Sequence, residues 1–335
     1  MNIAVVILNW NGRSLLEQFL PSVVKHSKEA TIYIADNAST DDSVPYVKAA
    51  FPEIKIIQNT VNGGYAKGYN DALAKIEADI YCLLNSDIEV TKNWLTPILK
   101  TFESSDTIAA IQPKILDYKK KSHFEYAGAA GGYIDQLGYP YCRGRIFDTI
   151  EQDHGQYDDT TAIFWASGAC LFIRKSVFEE VGKLDEDFFA HQEEIDLCWR
   201  LQDHGYIIMY NGSSTVYHLG GATLDTMNPK KTYLNFRNNL YLLIKNVPGR
   251  NVWLVLLIRM ILDGLAGLKF LLEGRFSHFL SIIKAHLSFY RNLNVFLKKR
   301  KKLSKTGKYY SFFSVVWQYF ILKRKHFNKL KGRIN

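Results

Sequence analysis

Three carboxylates crowd four positions in FFAHQEEIDLCWR, residues 188–200: Glu193, Glu194 and Asp196. Burial beside other acids raises a carboxylate's pKa toward the range that a general base needs at neutral pH. The same residues suit a helix start, where acids interact favourably with the dipole. Asp196 and Arg200, four positions apart, have the spacing of a supporting ion pair. Far upstream, YCLLNSDIEV (81–90) drives an apolar run into Asn85-Ser86-Asp87. A carboxylate is costly to bury unless it is paired, hydrogen-bonded or metal-bound. Asp87 is therefore either a turn residue or a ligand for Mg2+ or Mn2+, which takes one or two protein carboxylates and leaves other positions to phosphate and water. Asn85 and Ser86 are neutral, which suits a metal shared with a diphosphate. His218, in VYHLGG, ends another apolar run. It is either a satisfied core histidine or a second metal ligand.

These residues need elements to hold them. Residues 3–8 form a short apolar run, as a parallel strand covered on both faces requires. Leu15, Leu16, Phe19, Leu20, Val23 and Val24 then recur at helical spacing. Strands are expected over 31–35, 54–57, 80–84 and 108–111, and helices from Asp41/Asp42 to 50, over 66–76 and over 94–102. Such alternation implies an open, mostly parallel sheet, whose ligand crevice lies outside the carboxyl ends of the strands. Four of those ends carry small polar or acidic residues: Asn9-Trp10-Asn11-Gly12, Asp36-Asn37, Gln58-Asn59 and Asn85-Ser86-Asp87. Asp36 is either a turn or cap residue or an acceptor for a nucleobase or ribose. Asn62-Gly63-Gly64 opens a helix whose amides and close backbone approach suit phosphate. Residues 118–160 are weakly periodic and suit a long active-site loop with short strands. A strand over 169–173, a helix near 175–181, an amphipathic helix over 192–204 with Ile195, Cys198, Trp199 and Leu201 inward, and two strands at 206–210 and 215–217 follow.

The chain has 335 residues, room for one large domain or two modest ones. Its four cysteines lie far apart with no CxxC, a poor metal or disulfide framework. With no export signature at the N-terminus, a reducing cytoplasmic setting is expected. The net charge of +9 conceals an asymmetry: residues 245–335 hold 20 Lys/Arg against two acids, Asp263 and Glu273. The apolar run 252–272 is long enough to tempt a membrane-spanning assignment, but Arg259, Asp263 and Lys269 interrupt it. Each such charge costs about 2.5–3.5 kcal/mol at a bilayer centre. An interfacial helix is favoured, and LKKRKKLSK (297–305) adds attraction to anionic lipid. The other reading of the tail is a helical bundle with a solvated basic face; no nucleic-acid module is visible.

In order and spacing, VVILNWNG, IADNASTDDS, NTVNGGYAKGYNDAL, LLNSDIEV, ASGACLFIRKSVFEEVGKLDEDFF, EEIDLCWR and HLGG resemble glycosyltransferase family 2, the inverting GT-A enzymes. The likeness is nearest to the rhamnosyltransferase-like bacterial members that build surface polysaccharides, and it covers roughly residues 1–240. It implies a Rossmann-like GT-A domain over 1–240 and leaves 241–335 as a basic, helical, membrane-associating region. By this resemblance Asn9 and Asp36 hold the nucleotide, with Asn62 and Gly64 beside it and Asn85 and Ser86 in the donor site. Asp87, at the last position of the DXD motif, and His218 bind the metal. Asn85 replaces the first acid of that motif. The family's acidic pair is commonly Glu-Asp, with the second residue as base. Here it is Glu-Glu, so Glu194 takes the base position with one extra methylene, and Glu193 is the alternative. The reaction implied is a single displacement that moves a sugar from a nucleotide-diphosphate donor to an acceptor hydroxyl. A dTDP-deoxysugar such as rhamnose is the expected donor, with UDP- and GDP-sugars open, and a lipid-linked glycan the expected acceptor, at the inner face of the cell membrane. Two competing classes are a nucleotidyltransferase, for which NWNGRSLLEQ is a poor triphosphate loop, and a non-catalytic nucleotide-sugar-binding scaffold.

Overall fold

The computed structural model describes residues 1–220, 228–301 and 309–332. Gly221 of the HLGG motif and the basic run from residue 302 onward to 305 lie outside the described residues. β1 (Ile3–Asn9) leads to α1 (Arg13–His26), whose Leu16, Phe19, Leu20 and Val23 are buried at helical spacing. β2 (Ala30–Asp36), α2 (Ser43–Ala50), β3 (Lys55–Gln58), α3 (Gly64–Leu73), β4 (Ile80–Asn85), β5 (Ile88–Val90), α4 (Leu95–Glu103) and β6 (Ile108–Asp117) follow. Four short strands occupy the weakly periodic segment: β7 (Gly132–Ile134), β8 (Pro140–Cys142), β9 (Arg145–Ile146) and β10 (Thr149–Ile150). β11 (Thr160–Ile163), β12 (Cys170–Arg174), α5 (Lys175–Glu180), α6 (Glu193–Asp203) and β13 (Ile207–His218) come next. Helices α7 (Pro229–Asn246), α8 (Val252–Leu272) and α9 (Phe276–Lys301) close the described order of long elements.

The main sheet runs β11-β13-β6-β12-β4-β1-β2-β3, with β5 paired onto β13. β1 is parallel to β2 and β4, β2 to β3, and β6 to β13. The α/β class and the mostly parallel sheet are those expected from the alternation. β12 departs from it: the strand is antiparallel to both β4 and β6. A strand covered on both faces carries the same apolar run in either direction, so residues 169–173 hold no sign of that reversal. The two strands expected at 206–210 and 215–217 are one, β13, whose register shifts between Asn211 and Thr215. Residues 212–214 bulge there, and the polar Gly-Ser-Ser of that bulge mimics a strand break.

The expected division at residue 240 falls inside α7. One buried apolar cluster holds Val6 and Leu83 of the main sheet together with Tyr241 of α7 and Phe296 of α9, whose rings stack with centroids 3.9 Å apart. Farther on, the Val315 amide donates to Asp135 Oδ2 at 2.7 Å, tying the last segment to the small β7–β10 sheet. All four cysteines are buried free thiols.

Candidate active site

Parallel register carries the polar strand ends to one edge. Asn9 and Asp36 are paired neighbours on β1 and β2, and Leu8 pairs with Asn85 on β4. Asn9 is fully buried, and its Nδ2 donates to Asp36 Oδ1 (3.1 Å), Ser39 Oγ (3.1 Å) and Ser43 Oγ (2.9 Å). That amide fixes the Asp36 carboxylate and the loop after β2. Asp36 Oδ2 accepts from the Ser39 amide at 3.2 Å. A web of asparagines joins the next two strand ends to α3. Asn59 Nδ2 donates to Asn37 Oδ1, and Asn37 Nδ2 donates to Asn62 Oδ1 and to the Gly64 carbonyl.

The glycines before α3 serve a different contact from the one expected. Gly64 has φ +77, and a Cβ there would lie 2.4 Å from the Phe189 carbonyl oxygen. The Tyr65 amide donates to that carbonyl at 2.7 Å, and the Gly64 amide donates to Asn62 Oδ1 at 3.0 Å. The start of α3 thus grips the loop leading into α6, so these two amides are engaged within the protein rather than turned to phosphate. Only glycine tolerates both the backbone angle and the approach.

Asp87 and His218 meet because β5 turns sharply off β4 and pairs with the end of β13, Ile88 opposite His218. His218 Nε2 lies 3.1 Å from Asp87 Oδ1, and both side chains are buried. Behind the ring stands Glu125, its Oε1 3.4 Å from His218 Nδ1. Burial alone would lower the imidazole pKa, but Glu125 and Asp87 override it and hold it up at about 10. Glu125 is the site residue that sequence reasoning passes over. Its one signal is an acid wedged between aromatics in HFEYAG, inside the segment of weakest periodicity.

The acidic pair opens α6, after a loop with positive φ at Phe189, His191 and Gln192. Burial, then the neighbouring Glu194 charge, push the Glu193 carboxyl well above the ordinary range. Burial pushes Glu194 up to about 7, against backbone amides that pull it down. Glu194 Oε2 is buried with no hydrogen-bond partner among the described residues. A carboxylate so placed is suited to taking a proton near neutral pH. Contacts run from this pair to the Asp87 turn. A Cβ on Gly168 would touch Glu194 Cβ at 3.8 Å, and the adjacent Ala169 carbonyl accepts from the Asn85 amide at 2.9 Å. Asp36, Asp87 with His218, and Glu193 with Glu194 therefore belong to one connected edge of the molecule. Two surface hollows, one lined by Thr96, Lys100 and Asn211 and the other by Met1, Asp79 and Arg174, lie away from it.

Asp196 is the supporting residue. Although burial disfavours its charge, Lys245 and Arg200 hold the carboxyl far below its ordinary range. Its Oδ2 accepts from Lys245 Nζ (2.8 Å) and Arg200 Nε (2.9 Å). A second brace comes from α7. Asn238 Nδ2 shares its two hydrogens among the carbonyls of Phe188 (3.0 Å), Ala190 (2.8 Å) and His191 (2.7 Å). These are the residues that aim α6. Asn238→Leu should strip the Ala190 and His191 carbonyls of their amide donor, Phe188 keeping Arg237 Nη2, and cost about 1–3 kcal/mol of stability. It should also lower turnover more than donor affinity; thermal unfolding and steady-state kinetics check both. Equal stability in the variant would refute the brace.

The oxygen and nitrogen donors of Asp87 and His218 match the preferences of Mg2+ or Mn2+, and Glu125, 3.4 Å from His218 Nδ1, is placed to orient the ring. No group of three or more such side chains is arranged around a metal among the described residues. A divalent ion placed between Asp87 and His218 would have two protein ligands and take phosphate and water at its other positions.

A family model described as Glycosyl transferase family 2 matches residues 4–182. The chain is 25% identical over 233 residues to an N-acetylglucosaminyl-diphospho-decaprenol L-rhamnosyltransferase of Mycobacterium tuberculosis, covering 64% of this chain and 75% of that one. It is 24% identical over 245 residues to the low-salt glycan biosynthesis hexosyltransferase Agl10 of Haloferax volcanii, covering 71% and 74%. A solved structure of GalNAc-T7 with UDP, GalNAc and Mn2+ superposes with a TM-score of 0.56 at 18% identity, over 73% of this chain and 48% of that one. That likeness is one of fold.

Proposed function

The chain belongs to glycosyl transferase family 2, and from that membership we propose that it is an inverting glycosyltransferase of cell-surface glycan synthesis. It would move a sugar, with L-rhamnose from a dTDP donor the first candidate, onto a hydroxyl of a lipid-linked glycan. The rhamnosyl and decaprenol terms in the Mycobacterium tuberculosis relative's name support that choice. A lipid-linked acceptor would bring the protein to the inner face of the cell membrane.

The observation that carries the reading is the single edge on which the nucleotide-side carboxylate, the Asp87 and His218 pair and the two glutamates adjoin. Asp36, locked by Asn9 and the Ser39 amide, would accept from the nucleoside, and Asn62 would stand beside it. Asn85 and Ser86 would line the diphosphate. Asp87 and His218 would hold a Mg2+ or Mn2+ ion, which when bound supplies positive charge against the departing diphosphate. Glu194, uncommitted at Oε2, would take the proton of the acceptor hydroxyl as that oxygen attacks the anomeric carbon. One in-line attack inverts the configuration. Glu193, buried beside it and held well above the ordinary carboxyl range by burial and by the Glu194 charge, stays protonated and so adds no second negative charge to the pair.

The test is a thermal-unfolding screen of the full chain against nucleotide-sugars with and without Mn2+. A donor at a hundredfold excess over its Kd should add about 2.7 kcal/mol of stability. A shift with dTDP-rhamnose, or with another nucleotide-sugar, identifies the donor. A shift with nucleoside triphosphates alone would replace this reading with nucleotidyl transfer.

A further inference from the structure

We infer that α8 lies in the plane of an anionic lipid bilayer surface, with one apolar face in the lipid and the opposite face on the protein. Of the three charges that interrupt the 252–272 run, Arg259 and Asp263 turn inward, and Lys269 stays exposed near the end of the helix, 3.6 Å from Glu273. Arg259 Nε donates to Asp263 Oδ1 at 2.8 Å, His286 Nε2 lies 3.2 Å from Asp263 Oδ2, and the Arg259 guanidinium sits 3.7 Å over the Tyr139 ring. Both charges are buried on the face where Val252, Val255 and Leu256 also pack. The other face is a single row at helical spacing: Leu254, Leu257, Ile261, Leu265, Leu268 and Leu272. Each of these is more than half exposed, Leu272 by 82%. α9 runs back beside α8, with Phe279 against Gly267, and has its own exposed row of Leu280, Ile283, Leu287 and Tyr290. Rows of this length in water mark an interaction surface.

Charge chooses the occupant. Of the two acids in residues 245–335, Asp263 is paired with Arg259, while Lys245 and Lys299 pair with Asp196 and Asp185 upstream, which leaves Glu273 to face the other 17 Lys/Arg. A second copy docked symmetrically would bring two such basic regions together. An anionic headgroup layer would accept the leucine row and neutralise the cations around it. Trp253, half exposed at the start of α8, suits headgroup depth. No helix among the described residues is long and apolar enough to cross a membrane, and an in-plane helix requires no such length. The inference rests on the proposed lipid-linked acceptor for its purpose only; its test reads binding, so either can fail while the other stands.

The test is co-sedimentation of the full chain with phosphatidylcholine vesicles, with and without about 30% phosphatidylglycerol. Wild type should pellet with the anionic vesicles and be released by high salt. Leu257→Glu/Ile261→Glu/Leu265→Glu should partition roughly tenfold less or worse. The milder Leu257→Gln/Leu265→Gln should fall between, and both should keep the wild-type unfolding midpoint because the replaced side chains face outward. Wild-type partitioning in the glutamate variant would overturn the inference. So would equal binding to neutral vesicles, or a dimer of the wild type in sedimentation velocity that the glutamate variant loses without any vesicle binding.

Discussion

Glu194→Gln should lose roughly a thousandfold in turnover and bind the nucleotide-sugar as tightly as wild type. The amide matches the carboxylate in shape but cannot accept the acceptor's proton. The groups proposed for the donor stand on other strand ends: Asp36 on β2, Asn62 before α3, and Asp87 after β4. With the carboxyl at about 7, wild-type kcat/KM should climb with unit slope below that pH and level off above it. Glu194→Asp, which restores the acid commoner in the family, should keep measurable turnover with a shifted profile. Glu193→Gln should lose less than Glu194→Gln; the reverse order would move the base role to Glu193. Wild-type turnover in Glu194→Gln would end the base assignment altogether.

The same substitution has a stability consequence of opposite sign, which separates chemistry from misfolding. A carboxyl raised from 4.5 to about 7 holds its proton more tightly in the folded chain than in the unfolded one. Its contribution to stability is complete below pH 4.5 and is lost as pH rises through 7. At pH 8 the ionised, buried group then costs about 3 kcal/mol at one pKa unit per 1.36 kcal/mol. Glutamine escapes that cost, so Glu194→Gln should melt higher than wild type at pH 8 and close to it at pH 4. An inactive variant that is also more stable cannot owe its inactivity to a damaged fold.

The strand ends were legible because each couples an apolar run to an Asn or Asp that no core strand would otherwise carry. Asn9, Asp36 and Asn85 are such cases, and parallel register does the rest. The inward face of α6 was legible for the same reason: Ile195, Cys198, Trp199 and Leu201 fall on one helical stripe and are buried. Pattern ends where a contact is made across the chain. Glu125 meets His218 from 93 positions away, and neither residue's neighbours record it. Asn238 braces the loop before α6 from a helix whose sequence shows only an amphipathic surface. The glycine pair suggests backbone approaching a ligand, whereas the group that Gly64 approaches is the Phe189 carbonyl, far along the chain. Along the α8 sequence the charges simply interrupt an apolar run, whereas their effect depends on which side of the helix they occupy.

Asp87→Ala and His218→Ala should each weaken Mn2+ binding by well over tenfold and reduce turnover in parallel, since each removes half of a two-ligand set. The pH dependence tests the arrangement more sharply than the loss does. Before a metal can use Nε2, the imidazole must give up a proton held with a pKa of about 10, because Glu125 and Asp87 favour the charged ring. Below pH 10 the apparent Mn2+ affinity should therefore rise about tenfold per pH unit for this one proton. His218→Ala should flatten that slope. Glu125→Gln acts in two opposing directions. Losing the carboxylate lowers the imidazole pKa and eases proton release, but it also removes the partner that orients the ring, a loss of about 10–100-fold in comparable metal sites. At pH 6.5 the two effects partly cancel, and at pH 8.5 the orientation loss dominates, so the variant should bind Mn2+ on a shallower slope that crosses toward wild type as pH falls. Calorimetric titration of Mn2+ at pH 6.5, 7.5 and 8.5, without donor, measures this directly. A His218→Ala slope equal to that of wild type would remove His218 from the metal, whatever happened to turnover.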